Sequence, residues 1–178
     1  MSWKIEEKYR RILEGEEGTV IKNRGGRLSV CIVYANRYAT AMSNLGFQVV
    51  YSLFNGFADV VCERAFLPDA AEMKEYEKTG LPLLSLESRI PVSDFDVVAF
   101  SVSFENDYLN LPAIFALSRI PPFARDRGAS FPLVIAGGAA LFLNPEPIAD
   151  LVDIVCVGEA EAILPAFVEL LRGDQGDD

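Results

Sequence analysis

The sequence contains no histidine. That removes the commonest metal ligand and the commonest general base. It also excludes Ser-His-Asp and Cys-His catalysis within these residues. Cysteine is scarce too: Cys31, Cys62 and Cys156 stand far apart, with none of the close spacings that build zinc or iron–sulfur sites. Each lies in an apolar run, as in Ser29-Val30-Cys31-Ile32-Val33, where a free thiol packs as a small hydrophobe. No apolar run approaches the roughly 20 residues that cross a bilayer. The start, Met1-Ser2-Trp3-Lys4-Ile5-Glu6-Glu7-Lys8, mixes charge signs and lacks a signal-peptide core. The cytoplasm is the expected compartment, with no membrane partner. Neither G-x-G-x-x-G nor a P-loop is present.

What is present is acid and hydrophobe. The formal net charge is −10 over 178 residues. Such a surface repels phosphate backbones, so these residues alone are not expected to bind nucleic acid; the acidity serves solubility. Hydrophobic residues make up 51% of the chain, enough for one domain with a sizeable core.

Strand and helix signals alternate. Residues 3–13 read as an amphipathic helix, followed by a glycine-marked, loose approach segment up to residue 27. Strands are expected at 28–34, 59–66, 96–103, 133–136 and 153–157. Between them, Tyr38, Met42, Leu45, Val49 and Leu53 line one face of a single helix. Further helices are expected over 68–78, within 107–119 with Pro112 near its first turn, near 145–151 with Asn144 as N-cap, and over 162–171. Residues 82–86 read as a short extended piece, and 173–178 as a polar, disordered tail or linker. The strands are continuous apolar runs, the pattern of a sheet covered on both faces. The expected fold is therefore α/β: a doubly wound, five-stranded, mainly parallel sheet of the Rossmann-like or flavodoxin-like kind, spanning 28–172.

In such sheets ligands bind beyond the carboxyl ends of the strands. The loops there are Ala35-Asn36-Arg37-Tyr38, Ser103-Phe104-Glu105-Asn106, Gly137-Gly138-Ala139-Ala140 and Gly158-Glu159-Ala160-Glu161. Paired glycines at a strand exit permit a tight turn or a close ligand approach. Ser101 and Ser103 flank the end of the third strand, where a hydroxyl serves a ligand or caps the next helix. Glu105, Asp107, Glu159 and Glu161 read as dipole partners in first helical turns rather than as an acid–base set. Tyr38, Phe104 and Tyr108 are candidate exposed aromatics near the same mouth. No acidic cluster follows the first strand, so a receiver-type phosphorylation site is absent.

These residues resemble a known family. The stretch from Pro132 through Gly137-Gly138, then Asn144-Pro145-Glu146-Pro147, then Asp153-Ile154-Val155-Cys156-Val157-Gly158-Glu159-Ala160-Glu161 is similar to the latter half of cobalamin-binding domains that precede radical S-adenosylmethionine (SAM) cores. Upstream, Met42-Ser43-Asn44-Leu45-Gly46, Glu63-Arg64-Ala65-Phe66-Leu67-Pro68, Leu84-Ser85-Leu86-Glu87-Ser88 and residues 95–105 resemble one uncharacterised radical SAM subfamily. The resemblance implies a corrinoid across the strand ends, touching Asn36, Met42, Ser101, Ser103, Gly137, Gly138, Gly158 and Glu159. It also implies a [4Fe–4S] cluster and S-adenosylmethionine in a downstream core outside these residues, which becomes the partner. Catalytic and metal-ligating residues are expected to be none here. Two departures matter: no histidine follows the first strand to ligate cobalt, and Ala160 replaces a family glycine. Two functions are expected: a cobalamin-type cofactor module, or a cofactor-free recognition or scaffold domain of the same fold that docks on the core or its substrate.

Overall fold

The apolar runs assemble into one sheet of five strands, all parallel: β1 (Leu28–Tyr34), β2 (Val60–Phe66), β3 (Val97–Ser101), β4 (Leu133–Gly137) and β5 (Ile154–Cys156), in the order β2-β1-β3-β4-β5. This is a computed structural model, and it describes residues 2–173. Helices cover both faces, which is why the strands are mostly apolar, with Ser29, Glu63 and Arg64 as buried polar exceptions. On one face, α1 (Trp3–Glu14), α4 (Ala70–Thr79), α5 (Leu111–Ser118) and α6 (Ala139–Leu143) bury Ile5, Tyr9, Tyr76, Ile114, Phe115 and Leu141. On the other, α3 (Leu45–Gly56) and α7 (Ala160–Gly173) bury Phe47, Tyr51, Phe54, Leu164, Phe167 and Val168. The doubly wound α/β expectation holds. No helix among the described residues is long and apolar enough to cross a membrane.

Several local expectations change. The single helix expected across 38–53 is two: α2 (Tyr38–Met42) stops at Ser43, and α3 restarts at Leu45. Asn44 adopts an extended backbone, and its side chain accepts the Phe47 N–H at 2.9 Å, so it caps instead of continuing the helix. Asn144 closes the unanticipated α6, and the expected helix near 145–151 is a 3-10 turn at Glu146–Leu151. Pro145 and Pro147 each disfavour the α region for the residue before them, and Asn144 is extended. The expected helix within 107–119 starts with a 3-10 turn, Glu105–Asn110, before α5. β5 spans three residues, since Asp153 gives its carboxylate to the Val134 N–H (2.8 Å) and to Arg127 (2.9 Å). Residue 173 ends α7, and the remaining tail positions lie outside the described residues.

The approach segment is bonded along its length, not loose. Glu16 pairs with Arg64 (2.6 Å), and Val20 meets the Tyr51 hydroxyl (3.0 Å). Lys22 donates to the carbonyls of Asn55, Phe57 and Val60 at 2.6–2.9 Å, closing the C-terminus of α3.

Candidate functional site at the carboxyl edge

The chain leaves β1 and β3 toward opposite faces, so the strand order reverses between them; a crevice opens at such a switch point. A polar seam fills this one. The Asn36 amide donates to Asp107 Oδ1 at 2.8 Å, and Asn110 donates to the Ala35 carbonyl at 2.8 Å. The Asn44 amide donates to Ser103 Oγ at 2.9 Å. Asp107 is 3% exposed, and its Oδ2 has no hydrogen-bond partner among the described residues. The expected dipole role for Asp107 is thus replaced by a buried link across the switch point. Ser103 takes the Asn44 amide and caps no helix.

The glycines at the strand exits answer to the fold itself. Gly137 ends β4 in register with Ser101. Gly138 has φ +125°, and a Cβ there would run into the Val102 carbonyl. That backbone approaches because the Val102 N–H donates to the Gly137 carbonyl (2.9 Å) while its own carbonyl accepts from Ala140 (3.3 Å). Gly158 has φ +135°, with the Ile163 side-chain tip 3.4 Å from the position of a Cβ. Glu159 is exposed, and its carbonyl accepts the Ala162 and Ile163 N–H groups in the first turn of α7. Met42 lies apart, its sulfur 3.6 Å from the Arg64 guanidinium. Ser101, Ser103, Gly137, Gly138 and Asn36 therefore share the middle of the edge. Gly158 and Glu159 sit at one side of it, and Met42 at the other.

Of the three candidate aromatics only Phe104 is exposed, at 60%. Tyr38 packs on Phe66 and donates to Glu16; Tyr108 donates to the Asn144 carbonyl at 2.8 Å. Other apolar side chains missed in the sequence stand on this edge: Leu109, Phe142, Leu143 and Val157 are all more than half exposed. Phe142 and Leu143 were hidden because the glycine pair disguised α6 as a loop. A groove of about 1070 Å³ lies at the other end of the sheet, against Leu28, Asp59, Asp96, Leu133 and Arg172.

Residues 46–177 match the family described as radical SAM proteins, N-terminal. The chain belongs to this family. An uncharacterized protein of Methanocaldococcus jannaschii is 25% identical over 133 residues, covering 75% of this chain and 24% of that protein. The chain thus spans about a quarter of the length of that relative. No solved structure matches it. In this radical SAM N-terminal domain, Glu63, Arg64, Glu87 and Ser88 of the upstream motifs bond to one another. Glu87 takes the Arg64 N–H (2.8 Å) and Nε (2.6 Å), and Glu63 takes the Ser88 hydroxyl (2.6 Å). Burial pushes the thiols of Cys31, Cys62 and Cys156 above their ordinary range, which suits packing rather than ligation.

Proposed function

We propose that this domain is a non-catalytic recognition and docking module of a radical SAM protein, and that the carboxyl edge of its sheet faces the radical core elsewhere in the polypeptide. The observation that carries this reading is the exposure of Phe104, Leu109, Phe142, Leu143 and Val157, all in the segments that follow the carboxyl ends of β3, β4 and β5. Several large apolar side chains left exposed at one end of a sheet suit an interaction face. Family membership supplies the partner, and the relative has three quarters of its length beyond the matched region. S-adenosylmethionine and its [4Fe–4S] cluster belong, on this reading, to that core. Among the described residues no three potential ligands converge on one point.

A corrinoid on the same edge is the second reading, favoured by the apolar ledge, which suits one face of a large macrocycle. When bound, a corrinoid supplies cobalt-centred group-transfer or radical chemistry. The residues fit it poorly: the sequence has no imidazole for cobalt, and the space over Gly138 is taken by Val102.

Full-length protein carrying a photo-cross-linking phenylalanine at position 142 tests the docking reading. Cross-links to the radical core are expected; cross-links confined to residues 1–178 would overturn it. Titrating the same protein with hydroxocobalamin separates the two readings. A spectral shift retained through desalting favours the corrinoid, and its absence favours the cofactor-free module.

A further inference from the structure

The two edges of the sheet are treated differently. Along β2 every outward-facing backbone group from Val60 to Arg64 is occupied. Lys22 Nζ donates to the Val60 carbonyl at 2.9 Å. The Asn55 side-chain amide lies against Cys62 as a strand would, accepting its N–H at 3.1 Å and donating to its carbonyl at 3.0 Å. Glu87 accepts the Arg64 N–H at 2.8 Å, and the Leu86 N–H donates to the Arg64 carbonyl at 2.7 Å. Exposed strand edges invite other chains, and this one is closed residue by residue.

At β5 nothing comparable is present. Its inner side pairs with β4 at Ile135↔Ile154, Ala136↔Val155 and Gly137↔Cys156. Among the described residues, no side chain or loop bonds its outer N–H and C=O groups. Ile154 is 40% and Val157 53% exposed. The return helix does not cover this side: α7 packs back toward α3 over the middle of the sheet.

Charge in the segments flanking the open edge is mostly acidic, with Arg127 on Asp153 as the cation at the start of β5. Between Arg127 and Arg172 the sequence has no lysine or arginine, whereas Glu146, Asp150, Asp153, Glu159 and Glu161 flank β5. Of these five, only Asp153 has an ion-pair partner among the described residues.

We propose that β5 accepts a sixth strand by edge addition, and that the added strand is a short apolar segment bracketed by lysine or arginine, drawn from the remainder of the same polypeptide. Main-chain hydrogen bonds would supply affinity, Ile154 and Val157 the side-chain contacts, and the flanking carboxylates the selection of a basic segment. The source follows from family membership and from a relative four times as long as the matched stretch. The proposal does not depend on docking by Phe142 and its neighbours.

Amide hydrogen exchange on the full-length protein reads this directly. The outward amides of residues 154–157 are expected to exchange as slowly as those of central β1. Exchange at the rate of an open edge would overturn strand addition, even where position 142 cross-links to the core. A photo-cross-linking residue at position 157 identifies the occupant. Capture of a basic-flanked extended segment outside residues 1–178 supports the proposal; capture of position 157 in a second copy, or no capture, overturns it. Replacing both Glu159 and Glu161 by lysine is expected to raise the exchange of the β5 amides at least tenfold while leaving β1 unchanged; no change would remove the charge argument.

Discussion

Arg64 and Glu87 meet twice in the interior: the carboxylate accepts both the Arg64 N–H at 2.8 Å and its Nε at 2.6 Å, with both side chains at most 3% exposed. The guanidinium also reaches Glu16 at 2.6 Å and lies over the Tyr51 ring at 4.7 Å. One arginine thus fastens the approach segment, the loop before β3 and the end of β2 together. Losing Glu87 leaves the Arg64 N–H and Nε without their acceptor, while Glu16 still holds the guanidinium. Glu87→Ala is therefore expected to cost about 1–3 kcal/mol, read as a shift in the urea midpoint with unchanged slope. An unaltered midpoint would show that the pair contributes nothing.

Glu16 makes this fastening pH-dependent. Burial opposes its ionisation, but hydrogen bonds from Arg64, Thr19 and Tyr38 outweigh burial and hold the carboxyl below its ordinary value. A carboxyl lowered in the folded state stabilises above its ordinary range, and that stability is lost as pH falls through the lowered folded value. Stability is expected to decline below about pH 4.5, with a shallower decline in Glu16→Gln. Denaturation midpoints of both proteins from pH 7 to pH 3 measure the difference, and parallel curves would refute it.

Gly138 and Gly158 both have positive φ, but only Gly138 faces fixed backbone where a Cβ would stand. Gly138→Ala is expected to cost more than the roughly 1–3 kcal/mol of backbone strain, because Val102 cannot move without breaking the β3–β4 exit. Gly158→Ala is expected to cost only the strain, since the Ile163 side-chain tip can turn away. Thermal unfolding followed by circular dichroism should rank them in that order; equal losses would contradict it.

Asn36→Ala removes the donor to Asp107, a carboxylate whose second oxygen already has no partner among the described residues. The expected cost is about 1–3 kcal/mol. Asn36→Asp should cost more, because it sets two carboxylates against each other across the switch point.

Asn55→Ala opens the middle of the β2 edge by deleting both bonds to Cys62. Stability is expected to fall by about 1–3 kcal/mol, with faster aggregation on warming, seen by light scattering. Loss of stability without aggregation would mean that Lys22 and Glu87 suffice to guard the edge.

The sequence by itself determined the architecture. Continuous apolar runs such as Leu28–Tyr34 and Val97–Ser101 can be satisfied only between two helical layers, so strand number and double winding follow from local pattern. Family membership was legible in the same way, through short motifs that survive without their context. Only the tertiary structure decided what those motif residues do. Gly138 is explained by Val102 and Asp153 by Arg127 and Val134; Arg64 draws its partners from positions 16 and 87. Helical and strand periodicities report which residues are buried, because burial is set by neighbours a few positions away. They carry no information about which distant backbone atom or charge a buried group will meet. The closed edge at β2 and the open one at β5 are differences of that second kind.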